Sequence, residues 1–130
     1  MFPARQTIVI VDDDLNIGRS LKRGLAIYGY HAEMFGSSAE CLNAIVTSVA
    51  ACFVIDVQLG PECGIELARK LSDKGIKSPV IHMSGANSEA VRRAALASRS
   101  VAFLDKPFSM PELVGAIESA TRRISTPRHA

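Results

Sequence analysis

The chain has 130 residues, 48% of them hydrophobic, which suits one globular domain burying about two-thirds of its unfolded surface and leaves no room for a second core. Fifteen Lys and Arg stand against 13 Asp and Glu, but Arg122, Arg123 and Arg128 lie beyond the last acid, Glu118. The body, with 12 basic and 13 acidic groups, is near −1, so nothing in the charge suggests an electrostatic footprint for nucleic acid.

The first apolar run, Ile8 to Val11, is far too short for a signal-peptide core or a membrane span, so a cytoplasmic protein without a membrane partner is expected. Cys41, Cys52 and Cys63 are odd in number and form no C-x-x-C or Cys/His metal pattern. They read as small hydrophobes with free thiols in a reducing compartment.

In chain order, "TIVIV" (7–11) is a continuous β-branched run, the pattern of a strand buried on both faces. It runs straight into Asp12, Asp13 and Asp14. Like charges about 4 Å apart repel by roughly 4 kcal/mol at an effective dielectric near 20, so the cluster spends stability and must hold something. Asp14 suits the N-cap of a helix carrying Leu15, Gly18, Leu21, Lys22 and Leu25, closed by Gly29.

"HAEMF" alternates weakly and reads as a second strand, and Ser37-x-x-Glu40 offers a capping box before Leu42, Ile45 and Val46. "CFVIDV" (52–57) is a third strand carrying a single acid, Asp56, followed by the loop "QLGPECG" and a helix with Ile65, Leu67, Ala68 and Leu71. "SPVIHMS" is a fourth strand ending at Ser84, before a polar-faced helix from Ser88 to Ala97 that contains Arg92 and Arg93. "VAFLDKPF" gives a short fifth strand. The last helix has Pro111 in its first turn and runs through Leu113, Val114, Ile117 and Ala120 to Ile124. The expected organisation is therefore a domain over 1–124 and a flexible tail over 125–130.

Five strands alternating with five helices predict an α/β fold, a doubly wound (βα)5 parallel sheet covered on both faces. Ligands of such sheets bind beyond the carboxyl ends of the strands. Asp12, Asp13, Asp14, Asp56, Ser84 and Lys106 all stand at those ends, so distant residues converge on one rim. Clustered carboxylates without His or Cys suit a hard cation such as Mg²⁺. A cation held there also neutralises charge on a phosphoryl group, and Asp is a known nucleophile for such groups. Lys106 would supply a positive charge, Ser84 a hydroxyl donor, and the amides of Gly85 and Ala86 further donors.

Taken together and in order, "VDDD", Asp56 with Gly64 eight residues on, "MSG" and "FLDKPF" resemble the receiver domain of bacterial two-component response regulators, over about Thr7 to Ile124. The resemblance implies a flavodoxin-like sheet in the order 2-1-3-4-5. It implies a Mg²⁺ (or Mn²⁺) site made by Asp12, Asp13, Asp56 and the backbone carbonyl of Gln58. Asp56 would be the phosphoacceptor, Ser84 and Lys106 would grip the phosphoryl group, and the bond to Pro107 would be cis. The donor would be a histidine kinase or phosphotransfer protein. Ser84 and Phe103 would act as a switch that remodels the surface of the fourth helix, fifth strand and fifth helix. That surface would control a protein partner or an output domain, or form a homodimer, without direct nucleic-acid binding. Such a domain is a signalling phosphoacceptor rather than an enzyme.

Two departures from the family pattern stand out. Gly60 occupies the usual proline position and Pro61 follows it, which alters the loop after Asp56. Gln58 and Ala86, at positions that tune attack by water, are not acids, so slow hydrolysis of the phosphoryl group is expected. Taken singly, Asp14 reads as a cap, Phe103 as semi-buried, His82 as structural, and Arg92-Arg93 and Arg122-Arg123 as solvated helix faces. Two other functions remain open at this point. One is a phosphohydrolase of the haloacid dehalogenase type using Asp12-x-Asp14, although Asn16 stands where Thr or Val belongs and Asp56 is left unexplained. The other is a structural adaptor with unused acids. The sequence also leaves open whether the chain is a stand-alone receiver or a piece of a longer regulator.

Overall fold

The computed structural model describes residues 6–44, 49–86 and 88–125. The predicted core positions Ile45 and Val46 and the tail beyond Ser125 lie outside them, as do the side chains of Arg123 and Ile124. The elements are β1 (Thr7–Val11), α1 (Leu15–Ile27), β2 (His31–Phe35), α2 (Ser38–Ala44), β3 (Cys52–Asp56), β4 (Gln58–Leu59), β5 (Glu62–Cys63), α3 (Gly64–Asp73), β6 (Val80–Ser84), α4 (Glu89–Ser98), β7 (Ser100–Asp105) and α5 (Met110–Ser125).

Five strands pair in parallel in the order β2-β1-β3-β6-β7. This is the expected 2-1-3-4-5 order once the small hairpin is set aside. Alternation along the central strands splits the core in two. Ile8, Ile10, Val54, Ile81 and Met83 pack with Leu21, Leu25, Leu113 and Ile117 from α1 and α5. Val9, Val11, Phe53, Ile55 and Val80 pack with Cys41, Leu67, Ala68 and Leu71 from α2 and α3. Each such buried side chain contributes about 1.5–3 kcal/mol, which is why β1, β3 and β6 are mostly apolar, with Asp56, His82 and Ser84 as their buried polar exceptions. Cys41 and Cys52 are buried and free, their thiols pushed up to about 12 by burial, and so inert.

Local signals set the helix starts. The Asp14 carboxylate accepts from the amides of Asn16 and Ile17, capping α1. At α2, the Ser37 hydroxyl accepts from the Glu40 amide, but the Glu40 carboxylate reaches one residue further back, to the Gly36 amide. At α5 the reciprocal box is complete: Ser109 Oγ accepts from the Glu112 amide at 3.2 Å, and Glu112 Oε1 accepts from the Ser109 amide at 2.9 Å.

Two details go beyond the sequence reading. Of the residues at helical spacing in α1, Gly18, Leu21 and Leu25 form its buried face, whereas Leu15 and Lys22 are exposed. The segment after Asp56 is not a plain loop. Gln58 pairs with Cys63 and Leu59 with Glu62 in an antiparallel hairpin, turned by Gly60 at φ +64, a conformation that favours glycine.

Candidate functional site

The carboxyl ends of β1, β3 and the β7–α5 connection meet in a cleft of about 520 Å³ lined by Asp12, Asp13, Asp56, Gln58, Glu62 and Lys106 among others. Asp12 is 1% exposed and Asp56 6%. Lys106 Nζ donates to Asp12 Oδ2 at 2.9 Å and to Asp56 Oδ2 at 2.7 Å. Asp12 Oδ1 accepts from the Asp14 amide at 2.8 Å, and Asp56 Oδ1 from the Gln58 amide at 2.9 Å. Every carboxylate oxygen of the buried pair is therefore held in place.

The charges do not balance. One ammonium faces two buried carboxylates, with the exposed Asp13 beside them. Burial raises the Asp12 carboxyl above its ordinary value, and the Lys106 hydrogen bond offsets only part of that. Burial works against the Lys106 ammonium as well, but the two carboxylates outweigh it and its pKa is raised. Taking charges out of water costs free energy that one counter-ion does not return in full.

The deficit fits a second cation. Among the described residues, Asp12, Asp13 and Asp56 offer carboxylate oxygens that all lie within 4.8 Å of one another. An all-oxygen set is the chemistry of Mg²⁺, not of a thiolate or imidazole metal.

Main-chain geometry joins the lysine to the end of the neighbouring strand. The Lys106 amide donates to the Ser84 carbonyl at 2.8 Å, which ties the lysine to the end of β6, and the Lys106–Pro107 bond is cis. Ser84 is 1% exposed, and its hydroxyl accepts from the Ala86 amide at 3.0 Å, so that amide is already engaged. Gln58 is exposed and reaches Asp56 through its main chain. Gly64 must be glycine, because a methyl group there would collide with the Asp56 carbonyl oxygen.

Phe103 is half-buried and lies in register with His82. The Arg92 guanidinium sits 5.8 Å from the centre of its ring, within cation–π range. Arg92 is exposed, as a solvated helix face is, and its contact with the ring, which links α4 to β7, has no local sequence signature. His82 is fully buried, with Nε2 at 3.1 Å from the Gly64 carbonyl. Cys63 is exposed beside the cleft, unlike Cys41 and Cys52, and so does not fill the small-hydrophobe role that the sequence gives all three. No helix among the described residues is long and apolar enough to cross a membrane.

Known proteins bear on this arrangement. Residues 8–118 match the family model of the response regulator receiver domain. Nodulation protein W of Bradyrhizobium diazoefficiens is 32% identical over 95% of this chain and 54% of its own length. Response regulator MprA of Mycobacterium sp. is 31% identical over 91% of the chain and 51% of its own. The chain thus spans about half the length of these relatives. Among solved structures, the receiver domain of the Francisella response regulator 1452 superposes with a TM-score of 0.85 at 28% identity, covering 93% of this chain and all of the other. FixJ-N gives 0.86 at 27% identity, covering 96% of this chain and all of the other. With the sheet order, the acid cluster and the matched residues in agreement, the chain belongs to the response regulator receiver domain family of two-component signalling.

Proposed function

We propose that this receiver accepts a phosphoryl group on Asp56 from a histidine kinase or phosphotransfer protein, in a reaction that requires Mg²⁺ or Mn²⁺. The observation that carries the reading is Lys106 held between two buried carboxylates with a third acid alongside. Asp12, Asp13, Asp56 and the Gln58 carbonyl would hold the cation, which neutralises charge on the transferred group when bound.

In the step itself, an Asp56 oxygen attacks phosphorus, forming a P–O bond as the bond to the donor's imidazole nitrogen breaks. The electron pair leaves with the imidazole, which takes up a proton. Lys106 exchanges its hydrogen bond to Asp56 for one to a phosphoryl oxygen, and Ser84 turns its hydroxyl from the Ala86 amide to donate to another. Phe103 follows Ser84, and the α4–β7–α5 surface changes. With Gln58 and Ala86 at the positions facing attacking water, self-catalysed hydrolysis is slow.

The receiver unit is 1–124, with 125–130 as tail, and it acts in the cytoplasm on a protein partner or an output domain. One solved relative, the NtrC4 receiver, is a dimer when activated by beryllofluoride. Leu96 and Val101, exposed on α4 and β7, support an equivalent homodimer here. The phosphohydrolase alternative loses its second carboxylate, since Asp14 is spent on capping α1.

Mass spectrometry after incubation with a small phosphodonor and Mg²⁺ tests the proposal. Wild type should carry one labile phosphoryl adduct, absent from Asp56→Asn and absent when the metal is chelated. An unmodified wild type overturns the reading.

A further inference from the structure

We propose that His82 is a positioning residue for the phosphoacceptor site, acting through the Gly64 carbonyl on the segment that follows Asp56. The proposal rests on the reading of Asp56 as phosphoacceptor but on separate observations. Three hydrogen bonds close a circuit between two consecutive residues of β6 and the two ends of segment 57–64. The Val57 amide donates to the Met83 carbonyl at 2.9 Å, and the Gly64 amide donates to the Val57 carbonyl at 2.7 Å. His82 Nε2 completes the circuit on the Gly64 carbonyl at 3.1 Å.

The direction of the last bond follows from chemistry. A carbonyl only accepts, so Nε2 carries the proton, and the ring is neutral because burial lowers its pKa. Nδ1 is left as an acceptor with no partner among the described residues. The α3 ladder uses one lone pair of the Gly64 carbonyl and leaves the second for His82.

What the circuit holds matters to the site. Segment 57–64 carries Gln58, whose amide grips Asp56, and the β4–β5 hairpin that walls the cleft. Gly64 itself packs against the Asp56 carbonyl. A side chain that fills the volume of His82 without donating releases one corner of this frame. His82 touches none of the groups that would hold the cation and reaches Gln58 only through Gly64 and Val57, so the expected loss is the low end of the about 10–100-fold found for partners bonded directly to a metal ligand.

The test compares His82→Leu, and His82→Phe should the leucine variant not fold, with His82→Gln, whose amide can still donate to Gly64. Three quantities are read on the full chain: Mg²⁺ affinity by calorimetry, the rate of adduct formation at saturating Mg²⁺, and hydrogen exchange of the Gly64 amide by NMR without metal. The apolar variant should bind Mg²⁺ roughly tenfold more weakly, form adduct more slowly and exchange Gly64 faster, and the glutamine variant should recover most of each. Wild-type behaviour in the apolar variant, or equal impairment in both, overturns the proposal. A wild type that neither binds Mg²⁺ nor takes a phosphoryl group overturns the function proposed for the site, and the Gly64 exchange still decides the role of His82.

Discussion

Two partly buried cations stand at opposite ends of the same sheet and are held in opposite ways. At the carboxyl end, Lys106 lies between Asp12 and Asp56, at 2.9 and 2.7 Å. At the amino end, Arg99, the C-cap of α4, donates to the carbonyls of Ile76 and Ser78 at 3.0 and 2.5 Å, and the Ser78 hydroxyl donates to the Ala50 carbonyl at 2.6 Å. The electrostatics diverge accordingly. Burial lowers the Arg99 pKa because its partners are neutral, whereas the carboxylates around Lys106 overcome burial and raise it. Arg99 stitches the 76–78 segment to α4 through neutral carbonyls, so the only charge in that contact is its own, held by main-chain dipoles. Lys106 leaves one carboxylate charge uncompensated, and that surplus is what makes one end a site and the other a staple.

The sharpest way to break this contrast is to remove each cation in turn. Lys106→Met should cut adduct formation at saturating Mg²⁺ by roughly a hundredfold or more, the scale of losing one donor to developing charge. Arg99→Met should leave that rate unchanged in the folded protein. It should instead lower the free energy of unfolding by about 2 kcal/mol, the scale of a charged hydrogen bond to the main chain. Urea denaturation and mass-spectrometric rates on both variants give four numbers. A shared profile in the two would mean that the ends of the sheet are not different in kind.

A second experiment measures the surplus charge directly. Asp12 has its carboxyl raised above 3.8 by burial, against the pull of Lys106. An acid raised in this way contributes stability that is fully present below 3.8 and lost as pH rises through its folded value. At neutral pH its charge is therefore a cost. Asp12→Asn should raise the thermal midpoint at pH 7 without metal. Adding Mg²⁺ to a hundred times its Kd should stabilise wild type by about 2.7 kcal/mol and the variant far less. A variant that melts lower without metal would show that Lys106 already balances the site.

The rim was legible in the sequence because parallel strands buried on both faces are written as apolar runs, and the polar residue that ends such a run must stand at the sheet's edge. Asp12, Asp56 and Ser84 follow from that rule; Lys106 stands one residue beyond β7, a half-buried edge strand that ends at Asp105, and its place on the rim follows only from its coming next after a strand. The β4–β5 hairpin could not, since two-residue strands are shorter than any period. The Ser109–Glu112 box is written in the sequence as S-x-x-E, the spacing that its two hydrogen bonds require. Leu15 shares helical spacing with Leu25 and yet is 47% exposed, because spacing gives the stripe and not where the neighbouring element stops covering it. Contacts between elements left no trace at all. Arg92 over Phe103 and His82 on Gly64, 18 residues away, depend on how helices and strands come together.

His82 lies between the two ends of the sheet and feels both. Burial is the main reason its pKa is lowered from 6.5; the Gly64 carbonyl opposes this, Arg99 lowers it further and Asp56 raises it. A base lowered in this way contributes stability that is present above 6.5 and lost as pH falls through its folded value. Over that window the slope approaches one proton, about 1.4 kcal/mol per pH unit. Subtracting the curve of His82→Gln from that of wild type isolates the effect from the carboxylates, among which Asp12 has the opposite sign. Arg99→Met should raise the His82 pKa and narrow the window from the acid side, and Asp56→Asn should lower it and widen the window. An unmoved His82 pKa in both variants would mean that the imidazole is insulated from the charges at either end, and a wild-type curve parallel to that of His82→Gln would mean that burial does not lower it.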